Sequence, residues 1–291
     1  MRRSCWVLAV LADACHGNAS HAPSTPAQAL YSEFQLETVP GLSGLAVDET
    51  GALWTVAERE RWAYRIRVRG NRPSLDPYAI EGVPDGMDVE GVAVLAPGKL
   101  ALGAEGRFEA SATVLLADVR DRRVVVTDRV DLTDLDLGLH VEPNAGTEGI
   151  CGAGDTIFIA VESIGDVDGR RWAPIVRIEH ALVVRMHKLW LTTRTGKLSS
   201  LDCRWVGNRI EATAIERHFT ETKILTFTIP TSDGEIAPHE ALDLGPALRG
   251  KLNLEGIVSM PDDSVFVIND NQWKGVTGPS LLLMFPPRRF R

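Results

Sequence analysis

The sequence predicts an all-β fold, a single β-propeller, and three observations carry that expectation. One pattern recurs five times along the 291 residues: a small or acidic residue, alternating apolar residues, a polar turn, a second alternating run and then an acid. The first and last positions of the pattern stand 14–16 residues apart each time. At least one more strand-like run follows every copy, while convincing amphipathic helices are absent. Repeating antiparallel units of about 50 residues are how a propeller reads in sequence, because no unit can bury its apolar face alone.

Taken in order, the chain begins with an address. Arg2 and Arg3 precede the apolar run Trp6–Ala12, and Ala12-Asp13-Ala14 offers a small-x-small exit just before Cys15. Residues 1–14 read as a signal peptide. Two outcomes stay open after it: a lipid anchor on an acylated Cys15, or simple secretion. Residues 15–29 are small, polar and Pro-containing, the composition of a flexible tether, which leaves 30–291 as the folded domain. The expected location is therefore outside the cytoplasm: periplasmic, extracellular or lipid-anchored at the outer membrane.

The run Tyr31–Thr38 has no hairpin of its own and is expected to supply an outer strand of the last blade, closing the ring. The five hairpins run from Ser43 to Glu58, Glu90 to Glu105, Glu148 to Glu162, Ser200 to Glu216 and Glu255 to Asp270. Their turns fall at Glu49-Thr50-Gly51, Pro97-Gly98, Gly154-Asp155, Gly207-Asn208 and Asp262-Asp263. Third strands are read at Tyr64–Val68, Thr113–Val119, Ile175–Ile178, Ile224–Ile229 and Leu281–Phe285, with further candidates at Val124–Val130 and Leu182–Leu191. Five blades is the count, with a sixth, degenerate blade in 107–147 or 171–199 as the alternative.

Composition excludes some functions. Lys and Arg number 31 against 39 Asp and Glu, a net charge of −8, which is no surface for nucleic acid. No apolar run after the N-terminus nears the ~20 residues of a bilayer span. Of four Cys, only Cys151 and Cys203 lie in the folded part, and no C-x-x-C exists. In an exported protein those two can pair, or both can serve as small buried hydrophobes.

In an antiparallel hairpin the start of the first strand lies beside the end of the second. The acids at those places, Glu90, Glu148 and Glu255 from the starts and Glu58, Glu105, Glu162, Glu216 and Asp270 from the ends, are thus expected to meet at one mouth of the central channel. Clustered carboxylates repel unless a cation or protons intervene. Oxygen-only donors suit a hard cation, Ca²⁺ before Mg²⁺. Arg59, Arg61, Arg107, Arg217 and Lys274 stand near these acids, and Arg59, Arg107, Arg217 and Lys274 are candidates for holding an anionic substrate. Other readings are that the acids only cap loops or pair with these cations, or that Ca²⁺ is a structural plug. The Gly after each Glu reads as close packing at the axis, and Asp166-Val167-Asp168-Gly169 as a surface turn.

Nucleophile-elbow, zincin and P-loop motifs are absent. Glu148, Glu162 and His218 are the acid–base candidates, with the loop residues His140 and His239 behind them. Trp54, Trp172, Trp205 and Trp273 are expected to pack between blades.

Leu42-Ser43-Gly44-Leu45 with Ala57-Glu58-Arg59, Asp88-Val89-Glu90-Gly91-Val92-Ala93 with Ala104-Glu105-Gly106, and Asn144-Ala145-Gly146-Thr147-Glu148-Gly149 with Val161-Glu162 resemble the phytase-like ("esterase-like activity of phytase") β-propeller family. Ile215-Glu216-Arg217-His218-Phe219 and Asn253-Leu254-Glu255-Gly256-Ile257 with Ile268-Asn269-Asp270-Asn271 extend the resemblance over about 42–286. It implies an exported bacterial propeller with esterase or phosphoesterase activity, though the Asp-Asp-Pro-Ala signature of calcium-dependent propeller phytases is absent. The expected function is a Ca²⁺-dependent hydrolase of phosphate or carboxylate esters, acting as a monomer on a small anionic ester. The alternatives are a non-catalytic propeller binding a surface ligand around a structural Ca²⁺, and a lactonase-like site using Asn144, Asn269 and Asn271.

Overall fold

A computed structural model of the chain describes residues 30–70, 72–218, 221–245, 248, 252–272 and 278–287. The signal segment, Cys15, the tether, Trp273 and Lys274 lie outside the described residues.

The period-2 runs form strands, and the strands form five blades. Strand β1 (Ser32–Leu36) comes first, and blade 1 follows as β2 (Leu42–Val47), β3 (Leu53–Ala57), β4 (Trp62–Arg69) and β5 (Arg72–Glu81). Blade 2 is β6 (Met87–Ala96), β7 (Lys99–Gly106), β8 (Ala112–Arg120) and β9 (Arg123–Leu132). After the one-turn helix α1 (Asp134–Leu137), blade 3 is β10 (Thr147–Ala153), β11 (Thr156–Val161), β13 (Arg170–Glu179) and β14 (Leu182–Trp190), with the short β12 (Gly165–Val167) beside β13. Blade 4 is β15 (Lys197–Val206), β16 (Arg209–His218), β17 (Glu221–Ile229) and β19 (Glu240–Asp243), while the intervening β18 (Glu235–Ile236) joins the edge of blade 3. Blade 5 is β20 (Asn253–Ser259), β21 (Val265–Asp270), β22 (Ser280–Phe285) and the N-terminal β1.

Strand β1 pairs antiparallel with β22, Ser32 opposite Met284 through Leu36 opposite Ser280, so the ring is closed by the start of the chain, as expected. No sixth blade occupies 107–147 or 171–199; those stretches hold the outer strands of blades 2 and 3 and α1. The outermost strands of blades 1 and 2 pair in parallel, Ala79 opposite Arg123, which joins the two blades into one eight-stranded sheet.

The inner strands β2, β6, β10, β15 and β20 lie side by side around the axis. Five apolar clusters fill the wedges between blades, with Leu102 between 1 and 2, Ile159 between 2 and 3, Phe158 between 3 and 4, Phe285 between 4 and 5 and Leu42 between 5 and 1. Burying a large aliphatic or aromatic side chain stabilises by about 1.5–3 kcal/mol, so the ring is held mainly by these wedges. Trp54 is buried among them, as expected; Trp172 is buried outside these clusters, against Gly165 of its own blade, and Trp205 is partly exposed and donates to the Ala153 carbonyl at 3.1 Å. Cys151 on β10 and Cys203 on β15 form a disulfide with Cα atoms 5.6 Å apart, tying the inner strands of blades 3 and 4.

Candidate functional site

The antiparallel registers deliver the sequence's acids to one end of the strands. Leu42 stands opposite Ala57, Asp88 opposite Glu105, Thr147 opposite Val161, Lys197 opposite Arg217 and Asn253 opposite Asp270. The N–H groups of Glu58 and Glu162 donate to the Gly41 and Gly146 carbonyls, both at 2.9 Å, which places these two acids as the next rung of the same ladder.

Two residues past Asp88, Gly146, Lys197 and Asn253, in four inner strands, the register slips. Glu90, Glu148, Ser199 and Glu255 have no partner on the second strand and are β-bulges. A bulge bends its strand and re-aims the extra side chain. In three of the four bulges a Gly follows and lets the next inner strand approach: a Cβ on Gly149 would lie 2.6 Å from the Leu201 nitrogen, and one on Gly256 would lie 2.7 Å from the Gly44 carbonyl carbon. The close-packing expectation for these glycines therefore holds in backbone terms.

The acids lie close enough to perturb one another. Glu90 is pushed well above the usual carboxyl range by burial and then by Glu58, Glu148, Glu105 and Glu255, acids drawn from four blades. Burial and the neighbouring Glu162, Glu255 and Glu105 push Glu148 in the same direction against the pull of Arg217. Glu58 rises to about 8 through burial, Asp270 and Glu255, opposed by Arg59. Glu105 rises to about 7 by burial, although the Gly146 N–H donates to its Oε2 at 2.7 Å and offsets part of the shift. Glu255 also reaches about 7, burial outweighing the Arg217 guanidinium that bonds to it.

The cations are unevenly placed. Lys197 pairs with Glu162 at 2.7 Å and Arg217 with Glu255, so blade 4 carries the positive side of the mouth. At the junction of blades 1 and 2, Arg107 holds Asp88 through two nitrogens, its Nε at 3.1 Å, and Arg59 Nε lies 3.6 Å from the same carboxylate. Arg61 donates to the Pro84 carbonyl at 3.2 Å, while its Nη1 is buried without a partner among the described residues. Burial and Arg107 hold the Arg61 guanidinium below its usual range, with Asp88 opposing. Two guanidinium groups thus hold one buried aspartate, with a third, that of Arg61, near enough to feel its charge.

This arrangement does not fit the expected Ca²⁺ cage. Among the described residues no three His, Cys, Asp or Glu side chains gather at ligand spacing. Several candidate donors are already engaged: Asn253 Nδ2 donates to Glu255 Oε1 at 2.8 Å and to Asp270 Oδ2 at 2.9 Å, beside the Arg217 bond. Arg59, Arg107, Lys197 and Arg217 offset part of the repulsion among these acids.

Glu216 departs from its expected place. Arg217, not Glu216, occupies the rung that carries Glu58, Glu105, Glu162 and Asp270 in the other blades, and a one-residue shift turns a side chain to the opposite face of a strand. Glu216 is fully buried and accepts four hydrogen bonds of 2.5–3.0 Å from the N–H and hydroxyl groups of Thr192 and Thr193. The matching bulge residue is Ser199, whose hydroxyl donates to the Leu254 carbonyl at 2.7 Å. His218 ends β16 opposite Glu221, His140 pairs with Asp134 at 2.7 Å, and His239 Nε2 lies 3.1 Å from the Thr228 hydroxyl, so His140 and His239 stand away from the acids.

Asp88, Lys197 and Asn253 belong to the mouth and went unread as site residues. Their signal was present: each precedes the bulge residue by two positions, the same rung in three blades.

A family model for phytase-like proteins, described as esterase-like activity of phytase, matches residues 37–273. The chain belongs to the phytase-like family. Comparison with curated proteins finds no match. Similar solved structures include a glucose dehydrogenase-type oxidoreductase of Thermus thermophilus, at 10% identity and TM-score 0.49, covering 87% of this chain and 99% of that one. The PQQ-bound aldose sugar dehydrogenase of Streptomyces coelicolor matches at 12% identity and TM-score 0.47, covering 89% and 99%. Virginiamycin B lyase of Staphylococcus aureus matches at 12% and 0.42, covering 89% and 88%.

Proposed function

We propose that this phytase-like propeller is an exported hydrolase of small anionic esters, of phosphate or carboxylate type, that works through its own acids and arginines. The observation that carries the reading is the pairing of Arg59 and Arg107 with Asp88, and Arg61 close by, beside a ring of buried glutamic acids whose carboxyl values are raised. Guanidinium groups match the planar, bidentate demands of a carboxylate or phosphate. Among the described residues Arg61 Nη1 has no hydrogen-bond partner, which leaves a guanidinium donor beside this cluster unused.

Glu58 keeps its proton at neutral pH and supplies the general acid that protonates the leaving oxygen. Glu105 titrates near neutrality, is fixed by the Gly146 N–H, and takes the proton from the attacking water. Both acids feel Asp88, which sets them beside the arginines. Glu148 is less suited as a base because burial keeps it protonated, and Glu162 is occupied by Lys197. The charged start and apolar run of the N-terminus support export, and so does the disulfide, a bond that persists in oxidising compartments.

The test is turnover of p-nitrophenyl phosphate and p-nitrophenyl acetate by the purified chain from pH 5 to 9, with EDTA and with added CaCl₂. The expected result is turnover that survives EDTA and falls at least about 100-fold in Glu58→Gln, the usual contribution of a positioned general acid. Arg107→Gln is expected to raise KM more than it lowers kcat. No turnover of either ester at any pH overturns the enzyme reading. Turnover abolished by EDTA and restored by CaCl₂ returns the chemistry to a metal ion.

A further inference from the structure

The wedge between blades 4 and 5 is apolar along its blade 5 side, through Ile257, Val265, Val267 and Phe285, but on the β16 and β17 face of blade 4 only Ile215 and Ile224, nearest the acidic mouth, are apolar. Further along the same strands the facing rows turn polar. Asp202, Thr213 and Thr226 stand in register across β15, β16 and β17, and Arg204, Glu211 and Thr228 form the next row on that face. With the β20–β21 hairpin of blade 5 opposite, they enclose a cavity of about 510 Å³. That volume lies within the range of about 300–1,000 Å³ that small-molecule sites occupy. Thr213 lies four residues from Arg217 along β16, so the cavity is about 13 Å from the mouth by strand rise and at the other end of the blades.

From this we infer that the cavity is a second binding site, independent of the acidic mouth, for a small neutral polyhydroxylated molecule of sugar size. The polar rows of blade 4 leave a cavity against them that no side chain fills, which a ligand can occupy. The wall's acids and arginines are matched within the wall, and its one histidine, His239, lies 3.1 Å from the Thr228 hydroxyl. Arg204 pairs with Asp263 at 3.1 Å, Arg209 with Glu211 at 2.8 Å, and the Ser259 N–H donates to Asp202 at 2.9 Å. An anion or a cation must break one of these pairs to find a counter-charge. What the wall offers instead is hydroxyl chemistry: no hydrogen bond engages the Thr213 or Thr226 hydroxyl among the described residues, and each can donate and accept.

The experiment uses the full chain and four probes, glucose, galactose and sucrose as neutral ligands and inorganic phosphate as the anion, read by saturation-transfer NMR and calorimetry. At least one neutral probe is expected to bind, and to bind about tenfold more weakly to a Thr213→Val/Thr226→Val variant, whose β-branched replacements keep the strands and the melting temperature. Turnover at the mouth is expected to be unchanged in that variant, which separates failure of this site from failure of the hydrolase reading. The inference is overturned if none of the three neutral probes binds, if they bind the variant equally well, or if phosphate is the probe whose binding depends on those threonines.

Discussion

Glu58, Glu105 and Glu255 hold their protons to about 8, 7 and 7, against an ordinary carboxyl value near 4.5. Between those limits the native protein binds more protons than the unfolded chain, so stability is complete below pH 4.5 and is lost as pH rises through 7 to 8. The acids titrate as one coupled set, so neutralising one relieves the others. Glu58→Gln is therefore expected to be more stable than the parent at pH 8.5 by about 1–2 kcal/mol and no better at pH 5. Melting curves across that range check it, and a profile in which both proteins keep a constant difference counts against a proton-loaded mouth. Glu216→Gln should behave in the opposite way. Its carboxylate accepts four bonds away from the mouth, and an amide replaces an acceptor oxygen with a donor facing donors. A loss of about 2–3 kcal/mol at every pH, with kcat unchanged, is the expected outcome.

At the scale of the strand, the bulge and the glycine after it form one device. The bulge turns a side chain toward the mouth, and the missing Cβ lets the next inner strand approach. Gly149→Ala places a methyl 2.6–2.7 Å from the backbone of Ser200 and Leu201, which cannot yield as a side chain can. A cost of about 2–3 kcal/mol is expected, whereas Gly234→Ala, whose nearest neighbour is 3.8 Å away, should stay within about 0.5 kcal/mol. Denaturant midpoints of the two variants decide whether axial packing or general loss of glycine is at work. The same device explains what was legible in the sequence. Glu-Gly marks three of the bulges, and polar turns such as Gly207, with φ at 63°, mark the hairpin tips. In blade 4 neither Glu nor Gly marks the start, and both strands of the hairpin run ten residues, so Ser200 was read where Ser199 stands and Glu216 where Arg217 stands. Strand β5 escaped reading because Pro73 and Pro77 interrupt its pattern, and β12 and β18 are too short to show a period.

Across the whole molecule, closure comes from two devices of different visibility. Pairing of β1 with β22 was readable because an unpartnered alternating run at one end matches a blade short of a strand at the other. Pairing of Cys151 with Cys203 was not, since spacing alone cannot distinguish a bond from two buried thiols. The crosslink spans 52 residues and joins inner strands of adjacent blades, so it restricts an unfolded loop containing most of blade 3. A loop of that length corresponds to about 4 kcal/mol of stabilisation in the chain-entropy account. For a domain of this size that is a fall of about 10 °C in Tm on reduction with dithiothreitol, at about 2–4 °C per kcal/mol. Because the bond lies in the middle of the strands and the blades also pack through Phe158 and its neighbours, the reduced protein is expected to stay folded and keep its turnover at 25 °C. Equal melting temperatures before and after reduction would mean that the thiols contribute only as packed hydrophobes, and the structural support for an oxidising compartment would go with the bond.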